Sequence, residues 1–119
     1  RSIEDFTRLM VGFRRVYNIT KQIEKAENIN PSSFVLDEEK ALFELYQAKQ
    51  ADFFDFMEKR EYDNALACLI GFKETIDNFF DKVFVMDKDE AIKANRLALL
   101  TTIKNMFLTF ADFSKIRFE

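Results

Sequence analysis

The stretch of sequence that decides the fold is residues 79–100, FFDKVFVMDKDEAIKANRLALL. Its first residues continue an amphipathic helical period that runs to about Val83. Asp87 followed by Glu90 is similar to a capping box, which predicts a last long helix from there to about Phe110. The apolar residues of that helix fall on one arc, which comprises Ile92, Leu99, Ile103, Phe107 and Phe110. The stretch therefore predicts two helices joined by a short turn.

The helical period extends over the rest of the chain. It predicts a first helix from Ser2 to about Glu27, and a strong loop signal follows at residues 28–33. Asp37 can cap a second helix that runs to about Lys59. A third helix begins near Tyr62, and Gly71 predicts a kink or a break within it.

The composition agrees with a single helical domain. The chain has 119 residues, of which 48% are hydrophobic and 33% charged, and it contains only two glycines and one proline. Few turn-forming residues and no strand-like alternation predict an all-α bundle of four to five helices, with residues 1–119 as one domain. Because the chain begins at Arg1 rather than at methionine, we interpret it as a piece of a longer polypeptide.

Several function classes are disfavoured by the residues that are missing. The chain has no histidine and one cysteine, so the usual general base and the usual zinc ligands are absent. Gly12 and Gly71 stand too far apart for a phosphate-binding loop. We therefore expect no catalytic residue and no metal site in this chain. No apolar run is long enough to cross a membrane, and the single cysteine is compatible with the cytoplasm.

The predicted first helix has a basic outer face. Placed at 100° per residue, Phe6, Met10, Phe13, Tyr17 and Thr20 form the buried arc. The opposite face carries Lys25 and the residues that we consider candidate RNA contacts, namely Arg8, Arg14, Arg15, Asn18 and Lys21. Guanidinium groups pair with phosphates and an amide can read a base edge, so this face suits RNA. A charged outer face that is merely solvated is the alternative.

The last helix carries two polar residues that call for partners. Arg96 projects into the apolar arc, and a buried guanidinium needs a carboxylate, for which Asp81 and Asp77 are the candidates. Asn95 points towards the polar side, where it could contact a cap or loop or could be a further RNA contact. Lys93 and Lys104 flank the arc and could extend a basic surface. Phe79 and Phe80 could stack on bases, but at helical spacing they are more typical of a core.

The charge is distributed unevenly along the chain. Residues 1–28 hold six basic and four acidic side chains, whereas residues 37–63 hold four basic and nine acidic ones. Residues 64–90 are also acidic and residues 91–119 are basic, which leaves a net charge of −3. A bipolar surface is expected if the first and last helices lie side by side.

Three strings of the chain resemble one family. The strings FFDKVFVM (79–86) and NRLALL (95–100) resemble the C-terminal anticodon-binding domain, of the DALR class, in β subunits of bacterial heterotetrameric glycyl-tRNA synthetases. The string FRRVYNI (13–19) is similar to the family's FxRVxNI. Asp89-Glu90-Ala91-Ile92-Lys93 looks like the string that names the class, with Lys93 replacing an arginine and so losing planar two-point pairing.

The resemblance implies a function for the longer protein. It implies an enzyme that joins glycine to its tRNA with ATP and Mg²⁺, in the cytoplasm, as an α2β2 heterotetramer. The α subunit would hold the active site, and the remainder of the β subunit would be a further partner. This chain would bind the anticodon end of glycine tRNA and supply no catalytic group or cofactor site. A helical protein–protein docking module without RNA contact is the alternative.

Overall fold

The computed structural model describes residues 2–23, 25 and 27–110, and within them every regular element is helical. The all-α fold with four to five helices is confirmed. In chain order the elements are α1 (Ser2–Thr20), a short 3₁₀ helix (Pro31–Ser33), α2 (Asp37–Glu58), α3 (Tyr62–Ile70), α4 (Lys73–Lys82) and α5 (Glu90–Phe110).

The core lies between helices that pack in overlapping pairs, α1 against α4 and α5, and α2 against α3, α4 and α5. The rings of Phe13 and Phe107 stack in parallel with their centroids 5.0 Å apart, which joins α1 to α5. Phe72 meets the Phe107 ring edge-on at 5.9 Å. All three rings are buried, so burial of aromatic surface is a main source of the stability that holds these helices together.

The predicted break at Gly71 is confirmed. Gly71 ends α3, and its N–H donates to the carbonyl of Ala67. The N–H of Phe72 donates to Leu69, and α4 begins one residue later at Lys73. Leu69 before the break and Phe72 after it are both fully buried in the core.

The first helix ends at Thr20, so the prediction that it extends to about Glu27 is wrong. A side chain from α5 ends it: the Nζ of Lys104 donates to the carbonyl oxygen of Thr20 at 2.7 Å and also to that of Ile23. Carbonyls at the C-terminus of a helix lack intrahelical partners, and a cation satisfies them well. Lys104 is therefore buried and does not extend a basic surface, as the sequence had suggested it could.

The last helix begins slightly later than its predicted cap. The carboxylate of Asp89 accepts hydrogen bonds from the N–H groups of Ala91 and Ile92, at 2.9 and 3.2 Å. Asp87 instead accepts from the N–H of Asp89 at 2.8 Å, in the turn before the helix. The cap is thus Asp89, because its side chain reaches the free N–H groups of the first turn.

Candidate nucleic-acid interface

The basic face of α1 points away from the bundle. Arg8, Arg14, Arg15 and Asn18 are exposed, and so is Lys21, which directly follows the last residue of the helix. Lys25, farther along the loop, is exposed as well. The predicted outward orientation of these residues is confirmed, and their contact with RNA stays a prediction. We call the set formed by Arg8, Arg14, Arg15, Asn18 and Lys21 the basic stripe.

An apolar residue lies in the middle of the basic stripe. Val11 is 62% exposed, and it is one helical turn away from Arg8, Arg14 and Arg15. Its position off the buried arc was visible in the sequence, but the prediction did not use it. The stripe therefore combines cations, an amide and a small apolar surface, which together can meet phosphate, base edge and ribose.

The opposite side of α1 packs into the core. Leu9, Phe13 and Val16 are fully buried, and Met10 is nearly so. The predicted buried arc is confirmed for Met10, Phe13 and Thr20, whereas Phe6 and Tyr17 are half-buried. No residue of the stripe belongs to the buried arc, so substitutions in the stripe should leave the core intact.

One arginine of the stripe rests on an aromatic ring from another helix. The central carbon of the Arg15 guanidinium lies 4.3 Å from the centroid of the Phe80 ring. Phe80 is half-buried at the end of α4, and its ring meets the buried Phe79 ring at 5.5 Å and 87°. Such cation–π contacts restrict the guanidinium while its edge stays in water. The sequence offered no signal for this pairing, because it joins residues of two distant segments.

The structure contradicts the predicted partners of Arg96. Arg96 as a residue is 4% exposed, and its guanidinium binds Glu39 of α2 at two points, with Nε to Oε2 at 3.0 Å and Nη2 to Oε1 at 3.2 Å. Asp87 lies 3.5 Å from Nη1. Asp81 is exposed, and Asp77 lies beside Gly12 of α1. The requirement for a buried carboxylate was correct, but the carboxylate comes from α2, because Arg96 crosses the core rather than turning back to α4.

Glu39 also organises the start of α2. Its Oε1 accepts hydrogen bonds from the N–H groups of Val35 and Leu36, at 3.0 and 2.9 Å. Burial raises the pKa of Glu39, but the hydrogen bonds from Arg96 and from these two N–H groups outweigh it, and the pKa lies below its ordinary value. The carboxylate therefore stays charged, and it joins the loop before α2 to α5.

Asn95 makes a loop contact, which was one of the two alternatives for it. Its Oδ1 accepts from the N–H of Asn30 at 2.8 Å, and its Nδ2 donates to the carbonyl of Asn30 at 3.0 Å. The side chain is buried and its amide is used by the loop, so the assignment of Asn95 to the RNA contacts is wrong.

Lys93 is half-buried and lies 3.4 Å from Glu90, in an ion pair within α5.

The basic surface comes mainly from the first helix. Arg96 and Lys104 of α5 are buried, so α5 adds less to this surface than its net charge suggests. The acidic side chains of the middle segment are mostly exposed on α2 and at the start of α3, among them Asp37, Glu44, Asp52, Asp55, Glu58, Glu61 and Asp63. The described surface is thus bipolar, with the basic stripe on α1 and the acidic side chains on α2 and α3.

Metal-ligating side chains and a cysteine are also found among the described residues. No three Asp, Glu or Cys side chains among residues 2–23, 25 and 27–110 come together in a way that could hold a metal ion. Burial raises the pKa of the Cys68 thiol, which disfavours the nucleophilic thiolate. Across the same residues, every helix is too short or too polar to span a lipid bilayer.

Comparison with known proteins gives this geometry a context. The glycine–tRNA ligase beta subunit of Thermodesulfovibrio yellowstonii is 41% identical over 116 residues, which are 98% of this chain and 17% of that protein. The beta subunit of Persephonella marina is 43% identical over 112 residues, which are 94% of this chain and 16% of that protein. The corresponding protein of Mannheimia succiniciproducens is 40% identical over 119 residues. The chain thus spans about a sixth of the length of these relatives.

A family model agrees with these relatives and covers most of the chain. The model for the DALR anticodon binding domain matches residues 9–113, which include α2 to α5 and the part of α1 that carries most of the basic stripe. It also includes both members of the Arg96–Glu39 ion pair. Together, the all-helical bundle, this match and the similarity to glycine–tRNA ligase beta subunits establish that the chain belongs to the family of DALR anticodon binding domains.

Proposed function

We propose that this chain binds the anticodon arm of glycine tRNA, as a domain of a glycine–tRNA ligase β subunit, through the basic stripe of α1. The observation that carries the proposal is the exposure of every stripe residue, on α1 and at Lys21 just after it, in a chain that belongs to an anticodon-binding family. The names of the relatives support glycine tRNA as the RNA.

The chemistry of the stripe suits a single-stranded loop. The guanidinium groups of Arg8, Arg14 and Arg15 have planar edges that can pair with phosphate at two points. The amide of Asn18 can donate to and accept from a base edge, and the bases of an anticodon loop are unstacked and accessible. The acidic surface of α2 and α3 repels RNA, so it restricts the tRNA to the side of the bundle that α1 faces.

The role in the enzyme would be support rather than catalysis. We propose that the chain assists the ATP-dependent attachment of glycine to tRNA, in the cytoplasm, within an α2β2 assembly that contains the rest of the β subunit. The α subunit would hold the active site together with ATP and Mg²⁺. We assign none of that chemistry to this chain.

Aminoacylation kinetics test this division of labour in the full-length α/β enzyme. Replacing Arg14 and Arg15 together by alanine should raise the KM for glycine tRNA about tenfold, which is about 0.7 kcal/mol per guanidinium. Activation of glycine with ATP, measured by pyrophosphate exchange without tRNA, should not change, because neither arginine serves the active site. Equal loss in both assays would contradict a role limited to tRNA binding.

A docking module without RNA contact is the second candidate function. It is favoured by two exposed apolar side chains in the turn between α4 and α5, Phe84 at 72% and Met86 at 51% exposure. Exposed apolar groups of this size are common at protein interfaces. Unchanged kinetics for tRNA in the Arg14→Ala/Arg15→Ala variant would favour this candidate over RNA binding.

A further inference from the structure

Phe80 contacts the basic stripe, but neither the family match nor the stripe itself explains its role. It lies on α4, whereas the stripe lies on α1, and its ring supports the Arg15 guanidinium at 4.3 Å. Exposed arginines ordinarily rotate among many conformations, and binding a ligand costs the entropy of fixing them. A ring below the guanidinium removes part of that cost before the ligand arrives.

The ring is itself held by buried parts of the molecule. Phe80 packs against Phe79, which is fully buried. The N–H of the next buried residue, Val83, donates to the carbonyl of Phe79 at 2.8 Å. One residue farther, the carbonyl of Phe84 accepts from Nη1 of the buried Arg96 at 2.6 Å. The backbone at the end of α4 is therefore held on both sides of Phe80, so the ring keeps its position beside the Arg15 guanidinium.

The geometry leaves a particular part of Arg15 available. The ring covers one side of the guanidinium, and the side chain is exposed elsewhere. Its N–H groups lie around the edge of the planar group, so they remain free of the ring. That edge matches two oxygens of a phosphate group. The stacked cation keeps its charge, so it can still attract an anion at that edge.

We propose that Phe80 is a positioning residue that holds the Arg15 guanidinium for two-point pairing with a backbone phosphate of the bound RNA. The inference rests on the proposed function and adds to it a residue outside the stripe. It also distinguishes Arg15 from Arg8, which lies on the same face of α1, and from Lys21, which follows that helix. A phosphate contact fixes the register of the RNA, and Asn18, three residues away on the same face, would then meet a base in a defined position.

The test measures glycine tRNA affinity in the full-length α/β enzyme for Phe80→Leu, Phe80→Tyr and Arg15→Ala. Phe80→Leu removes the ring and should weaken binding about two- to fivefold, the range expected for a lost cation–π contact. Phe80→Tyr keeps the ring and should bind as the unchanged protein does. Phe56→Leu, at another half-buried phenylalanine on α2, is the control for a general loss of packing.

Two readouts separate positioning from a structural role. Arg15→Ala should reduce the magnitude of the slope of log affinity against log salt concentration by about 0.7, the value for one phosphate contact on a single strand. Phe80→Leu should leave that slope unchanged, because the charge remains, and it should have no further effect in the Arg15→Ala background. The loss of affinity in Arg15→Ala should be the same for tRNAs with altered anticodon bases. A loss that varies with those bases would show that Arg15 contacts a base and not a phosphate.

The outcomes also distinguish this inference from the proposed function. If Arg15→Ala weakens binding and Phe80→Leu does not, the function stands and the positioning role is wrong. If the Arg14→Ala/Arg15→Ala variant binds tRNA unchanged, the proposed RNA surface itself is wrong. If Phe80→Leu weakens binding equally with and without Arg15, its effect is on the fold, and the positioning role is again wrong.

Discussion

Arg96 and Glu39 form a two-point ion pair in the interior of the bundle, between residues 57 positions apart in the chain. The Glu39 side chain is completely buried and that of Arg96 is 5% exposed. The pair joins α5 to α2, and through the Phe84 carbonyl it also holds the turn after α4. Three segments of the chain therefore depend on one guanidinium for their relative positions.

Removing one member of this pair should be costly. Arg96→Ala leaves the Glu39 carboxylate buried without its cation, and we expect the free energy of unfolding to fall by about 3–5 kcal/mol. Urea unfolding followed by circular dichroism measures this loss. The double variant Arg96→Met/Glu39→Leu removes both charges and should lose less than Arg96→Ala does. A loss below about 1 kcal/mol in Arg96→Ala would contradict the account of the pair.

Acid should weaken the bundle through Glu39. The pKa of this carboxyl lies below its ordinary value of 4.5, so its stabilisation is fully present above that value and is lost as the pH falls through the lower, folded pKa. The free energy of unfolding should therefore decrease as the pH falls from the ordinary pKa of 4.5 through the lower, folded pKa. Glu39→Gln should be less stable at neutral pH and less sensitive to acid over this range. Equal acid sensitivity in both proteins would assign the effect to other carboxylates.

A strained residue lies just after the second helix. Arg60 has a φ of 61°. Its N–H donates to the carbonyl of Met57, and the N–H of Glu61 donates to the carbonyl of Phe56. Glycine is preferred there, because a side chain disfavours positive φ. Arg60→Gly should raise the free energy of unfolding by about 0.5–1 kcal/mol, once the greater freedom of glycine in the unfolded chain is subtracted.

Thermal unfolding provides the measurement, and the neighbouring residue is a matched control. Lys59 has a φ of −82°, which any residue adopts, so Lys59→Gly gains nothing from relief of strain. It should lower the melting temperature, whereas Arg60→Gly should raise it. A lower melting temperature in both variants would show that Arg60 is not strained.

The sequence predicted where the helices lie because the apolar residues that they bury recur at helical spacing. The break at Gly71 could also be predicted, since glycine weakens a helix whatever surrounds it. The partner of Arg96 could not, because Glu39 lies in a charged run, Asp37-Glu38-Glu39, in which nothing local distinguishes the one buried carboxylate. Local patterns reveal that a buried charge needs a partner, but only the packing of distant helices selects it.

The end of the first helix shows the same limit. The apolar period continues beyond Thr20 to Ile23, so the sequence favoured a longer helix. Lys104, on α5, binds the carbonyls of both residues and thereby stabilises the earlier end. For the candidate site, periodicity placed the stripe correctly. It could not foresee that Phe80 supports Arg15, or that Asn95 serves the loop at Asn30, because both contacts join distant segments.

The buried ammonium of Lys104 should contribute strongly to stability. Lys104→Met keeps the apolar stem and removes the donor, so the carbonyls of Thr20 and Ile23 lose a charged partner. We expect the free energy of unfolding to fall by about 1.5–3 kcal/mol, the range for a hydrogen bond to a charged group. Urea unfolding measures it, with Lys40→Met on the exposed face of α2 as the control. Similar small losses in both variants would mean that water replaces the ammonium without cost.

The central claim, that α1 binds tRNA through its basic stripe, is tested most directly by titrating glycine tRNA into the full-length α/β enzyme. The comparison is between Arg14→Ala/Arg15→Ala and a control of equal charge change on α2, Lys40→Ala/Lys49→Ala, where both lysines are exposed. The account predicts a Kd about tenfold higher for the stripe variant and little change for the control, at one fixed salt concentration and with equal melting temperatures. An unchanged Kd in the stripe variant, or an equal change in both variants, would contradict it.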